Sequence, residues 1–162
     1  MCRFQFLTAC VLLGVAGAAA PAEPAELPIL DTFQGTVAND KKPAVNAGFI
    51  ATEAKWKATW AKVNPKEKRP RVDFTRHFLL VSAHDAADPN RRSASASVLK
   101  DDKGVVTLGG VCTLIGFEPS DRTTYRFYKV SRAGVTGVRR FDPARNKSVV
   151  VPLPKEVNNS NQ

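Results

Sequence analysis

Twice in the second half of the chain, a short glycine-containing turn separates two runs rich in β-branched and aromatic residues. "SASASVLK" and "GVVTLGG" meet at Asp101-Asp102-Lys103-Gly104, and "TTYRFYKVS" and "VTGVRRF" flank Arg132-Ala133-Gly134. Glycine supplies the positive φ that a tight turn needs, so each unit reads as a β-hairpin. In "TYRFYKV", Tyr125, Phe127 and Lys129 fall on one face of a strand and Arg126, Tyr128 and Val130 on the other. Phe78 to Ala83 is a short apolar run bounded by polar residues, which predicts a central strand. The apolar runs between "TFQGTV" and "KKPAVNAGFIAT" predict one or two short strands, and "SVVVPLP" an edge strand stopped by prolines.

One segment has the other period. In "TEAKWKATWAKV", residues 52 to 63, Trp56, Trp60 and Val63 recur at i, i+4 and i+7, with Lys55, Lys57 and Lys62 on the remaining surface. Thr52 suits the N-cap, Glu53 the positive end of the helix dipole, and Asn64-Pro65 the stop. Two tryptophans on one face could form a ligand platform, but a short amphipathic helix must bury that face, which favours core. The expectation is an α+β fold: a mainly antiparallel sheet or partly closed barrel with one N-terminal amphipathic helix packed on it.

The first 26 residues, "MCRFQFLTACVLLGVAGAAAPAEPAE", carry Arg3 ahead of an apolar stretch from Phe4 to Val15, then small residues. This is the layout of a secretory signal peptide, and the stretch is short of the roughly 20 residues a membrane-spanning helix needs. A leader over residues 1–20, cut near 18–22, would send the protein to the periplasm or outside the cell. "LTAC", residues 7 to 10, resembles a lipobox, but most of the apolar run follows Cys10 instead of preceding it, which argues against lipidation. Residues 21–30, "PAEPAELPIL", are expected to be a mobile, extended lead-in, 31–154 a single domain, and 155–162 a disordered polar tail. Removing the leader removes Cys2 and Cys10, so Cys112 has no intramolecular disulfide partner and stability must come from packing.

A catalytic role for Cys112 would require a base, His84 or His77, with Asp85 at the end of the "SAHD" strand as the residue to orient it. No basic residue surrounds "LGGVCTLIGFE", and no helix signal follows to stabilise a thiolate, so a small buried residue is the favoured reading of Cys112. A thiol-dependent hydrolase or transferase using Cys112 and His84 is the alternative. Metal-ligand spacing, phosphate loops and paired carboxylates are missing from the sequence, so no cofactor and no enzyme activity is expected.

"FIATEAKWKATWAKV" followed by "RVDFTRHFLLVSAHD" resembles the C-terminal domain of the PrcB protease-complex-subunit family over about residues 48–138. The residues that carry it are Trp56, Trp60, Val72, Asp73, Phe74 and the run Phe78 to Val81. At "RRSASAS", residues 91 to 97, the chain departs from the family, which has a glycine pair and an aromatic there. The resemblance implies an exported accessory protein without catalysis, acting in the cell envelope through another protein, such as a protease complex. Asp73, read from the residues alone, is expected to cap a turn.

Charge is the strongest chemical clue. Lys and Arg number 24 against 15 Asp and Glu, a net charge of +9. The cations concentrate in "KVNPKEKRPR", with Lys62, Lys66, Lys68, Arg69 and Arg71, and in the pairs Arg91-Arg92 and Arg139-Arg140. A polyanion-binding loop made of Lys66, Lys68, Arg69 and Arg71 is the site hypothesis, set against a merely solubilising surface. Outside the cytoplasm the partner would be an acidic polysaccharide, an anionic surface or an acidic protein face, and not nucleic acid. Two Asn-X-Ser patterns, at 146–148 and 158–160, carry no assigned role.

Overall fold

The computed structural model describes residues 23–41, 48–85, 94–112, 121–142 and 144–155. In chain order the elements are β1 (Ala25–Glu26), β2 (Asp31–Ala38), β3 (Phe49–Ile50), α1 (Glu53–Val63), β4 (His77–Asp85), β5 (Ala94–Lys100), β6 (Val105–Cys112), β7 (Arg122–Ser131), β8 (Gly137–Asp142) and β9 (Lys147–Pro152). They form two sheets, one of four strands in the order β2-β7-β4-β3 and one of five in the order β1-β5-β6-β8-β9. All pairs are antiparallel except β6 with β8. The α+β expectation holds with one revision. The strands divide between two open sheets, and among the described residues neither closes into a barrel.

Alternation along β4 and β7 explains the stacking. Leu79, Val81, Tyr125 and Phe127 turn to one side of the four-stranded sheet, where they bury Trp56, Trp60 and Val63 of α1. Phe78, Leu80, Tyr128 and Val130 turn to the other side and meet Val98, Val106 and Val138 of the five-stranded sheet. Both faces of these two strands are apolar, so a layer is needed on each side. Among the described residues, the five-stranded sheet is covered on one face only. Its outer face carries the aligned row Leu99, Thr107, Arg139 and Val150, each paired to the next across β5, β6, β8 and β9.

The first glycine turn makes the expected hairpin, with β5 against β6 and Gly104 at φ 76°. Asp101 organises it by accepting from the Lys103 and Val105 N–H groups at 3.1 and 2.8 Å. The second expected hairpin is corrected: β7 lies in the four-stranded sheet and β8 in the five-stranded one, so the turn at 132–136 carries the chain between sheets. It is held there because Thr136 N–H donates to the Gly104 carbonyl at 2.9 Å and Thr136 Oγ1 to the Lys103 carbonyl at 2.8 Å. Arg132 fixes the same corner by donating to the Phe74 carbonyl at 2.9 Å and the Pro154 carbonyl at 2.6 Å.

The lead-in is extended as expected, yet it is docked to the domain. Ala25 and Glu26 pair with β5, and Leu27 and Ile29 pack on the core between the sheets. Leu27 N–H donates to Val98 in one sheet at 2.7 Å, and Leu30 N–H to Lys129 in the other at 2.9 Å. The segment expected to be a leader, with Cys2 and Cys10, and the end of the tail from 156 lie outside the described residues.

Candidate functional site

The helix that carries the basic loop is built as its sequence indicates. Thr52 Oγ1 accepts the Lys55 N–H at 3.3 Å, and Asn64 N–H closes the last turn on the Trp60 carbonyl at 2.8 Å. Trp56 is fully buried and Trp60 nearly so, which removes the ligand-platform reading. Trp56 lies edge-on to Phe127 with centroids 4.9 Å apart and is 5.0 Å from Trp60.

The indole nitrogens then reach back to the loop. Trp56 Nε1 donates to the Pro70 carbonyl at 2.9 Å, and Trp60 Nε1 to the Glu67 carbonyl at 3.1 Å. A buried indole N–H needs an acceptor, and here the acceptors are loop backbone. Residues 64–71 therefore have a defined path across the helix, closed at its far end by Val72 and Phe74 re-entering the core.

The four proposed polyanion-binding residues separate into two kinds. Lys66, Lys68 and Arg71 are exposed, and none has a hydrogen bond or ion pair among the described residues. Arg69 is half-buried and its guanidinium pairs with Glu53 of the helix, so it ties loop to helix instead of facing solvent. Lys57 and Lys62 are exposed on α1 and extend the cationic surface. Lys55 does not join them. Its Nζ donates to the Phe49 carbonyl at 3.1 Å and stands 5.5 Å from the Phe49 ring centre, and burial, with Arg140 nearby, lowers its pKa.

Of the other cations, Arg139 pairs with Asp101 at 3.3 Å, while Arg91 and Arg92 lie outside the described residues. Asp73 is a turn residue. Its Oδ1 accepts the Thr75 N–H at 3.0 Å and the Thr75 hydroxyl at 2.5 Å, and its carbonyl accepts the His77 N–H at 2.9 Å. The hydroxyl and amide of Thr75 favour the ionised carboxylate and hold its pKa below the usual range.

The backbone of His84 is paired with Thr124 in the four-stranded sheet and that of Cys112 with Ala94 in the five-stranded sheet. No ladder joins these two positions, and their side chains lie outside the described residues. Among the described residues no three His, Cys, Asp or Glu side chains gather as a metal site, and no helix is long and apolar enough to cross a membrane.

A scan against protein-family models finds no match, and searches of curated proteins and of solved structures find no significant match either.

Sequence reasoning missed one surface, the outer edge of β2. "TFQGTV" was expected to be a short strand, but β2 runs for eight residues and pairs with β7 along its whole length. The usable signal was the lack of charge from Thr32 to Ala38.

Proposed function

We propose that this protein is an exported, non-catalytic domain that binds an acidic face of another envelope component, with Lys66, Lys68 and Arg71 as the principal contacts. The observation that carries this reading is the pair of indole hydrogen bonds that hold the loop on α1. A loop whose backbone is already ordered loses less conformational freedom on binding than a free one, so its charges contribute more to affinity. The leader pattern supports export, and the resemblance to the PrcB family favours a protein partner, a protease complex among them, over a polysaccharide. Arg69 serves as an internal tie in this reading.

The test is binding of heparin and of poly-glutamate to the protein across a range of salt. Affinity should fall steeply and linearly on logarithmic axes, as displaced counterions require. Lys66→Glu with Lys68→Glu should lower it well beyond the same reversals at Arg139 and Arg140. Equal losses would mean that net charge alone attracts the polyanion, and the loop would then be a solvated connection. Capture of one partner from envelope extract, lost in the loop variant and kept in the other, would identify the component.

A further inference from the structure

Sheet edges offer unpaired N–H and C=O groups, and proteins guard them with short strands, lysines or prolines. Among the described residues, three of the four edge strands carry such a feature. Strands β1 and β3 are two residues long, and β9 begins at Lys147 and ends at Pro152. Strand β2 is eight residues long, holds no lysine or proline, and has only Asp31 as a charge, itself paired with Lys129 at 3.2 Å.

Which groups of β2 face outward follows from its register. Asn39 N–H donates to the Asp121 carbonyl at 2.9 Å, and β2 continues in that frame through Val37 opposite Thr123, Gly35 opposite Tyr125 and Phe33 opposite Phe127. Hydrogen-bonded and non-bonded positions alternate in an antiparallel ladder, so Gln34 and Thr36 direct N–H and C=O away from β7. Thr32 fits the same frame, since its N–H is taken by the Asp31 carboxylate at 2.9 Å. Side chains alternate too: Phe33 packs against the helix core and Val37 is buried in it, while Thr32, Gln34 and Thr36 are exposed.

We infer that β2 is an acceptor edge for an extended segment of another protein, one that is apolar at alternate positions and acidic at the others. Such a segment would pair with the backbone of Gln34 and Thr36, place its apolar residues beside Phe33 and Val37, and turn its acidic residues to the face of Thr32, Gln34 and Thr36. The net charge of +9 favours an acidic strand over a second copy of this chain, which would be repelled. The inference goes beyond the loop reading and uses a different surface.

The experiment titrates the full chain with ten-residue peptides that alternate valine or phenylalanine with glutamate, alongside scrambled peptides of equal composition, and reads amide hydrogen exchange. The alternating peptides should protect the Gln34 and Thr36 amides, and Thr36→Pro should weaken binding by about tenfold or more, because it removes an outward donor and blocks the edge. This N–H makes no bond to β7, so the fold should survive. Thr36→Lys, which guards the edge without touching the backbone, gives the same reading if the proline variant does not fold. Equal binding by scrambled peptides, binding unchanged in both variants, or no binding at all would overturn the inference. Protection of the same amides by self-association would overturn it in favour of a second copy. Heparin affinity should not change in Thr36→Pro, so failure of the edge and failure of the loop can be told apart.

Discussion

Asp73 illustrates how a single side chain can be mistaken for chemistry. A carboxylate four residues before a histidine invites an acid–base reading, but its oxygen is committed to Thr75, and the histidine's N–H closes the turn on the Asp73 carbonyl. Because those bonds favour the ionised form, the folded pKa lies below the unfolded value of about 3.8. The stabilisation is therefore complete above that value and is lost as pH falls through it towards the folded pKa. Thr75→Ala should return the Asp73 titration to the ordinary carboxylate range, read by NMR of the side-chain carboxyl, and should flatten this part of the acid limb. An unchanged titration would show that Thr75 does not hold the carboxylate.

The unit formed by α1 and its basic loop depends on Trp60 at its centre. Trp60→Phe keeps most of the buried ring and removes the donor to Glu67, so urea unfolding should show a loss of about 1 kcal/mol. Amide exchange should quicken in residues 66–69 while the centre of α1 keeps its protection; a loop that exchanges as before would mean the indole does not hold it. At this scale much was legible in the sequence. Trp56, Trp60 and Val63 at helical spacing, with Thr52 before them, predicted the helix and its buried face, and Asp101 to Gly104 predicted one hairpin. What stayed hidden was spatial. Glycine at 134 signals a turn, but the local pattern is the same whether the next strand folds back or crosses to a second sheet. The clue was in β7, where Phe127 and Tyr128 are adjacent, buried and on opposite faces, a pattern that requires cover on both sides. Arg69 shows the same limit within the site, because a run of cations does not reveal that Glu53, sixteen positions earlier, neutralises one of them.

Across the whole molecule, the segment from Ala25 to Leu30 acts as a strap, bonded to the five-stranded sheet at Leu27 and to the four-stranded sheet at Leu30. A chain beginning at residue 31 loses the strap and the packing of Leu27 and Ile29, and should be less stable than one beginning at residue 23 by about 2–3 kcal/mol, measured as a shift in the urea midpoint. Equal midpoints would mean the lead-in is not part of the folded unit. The strand order β2-β7-β4-β3 also has a bearing on how the chain is made. Strands β2 and β4 are both synthesised long before β7, yet they never touch as neighbours, and each waits for β7 to come between them. A ribosome adding residues in order thus releases a polypeptide whose central sheet cannot close until residue 131 has emerged.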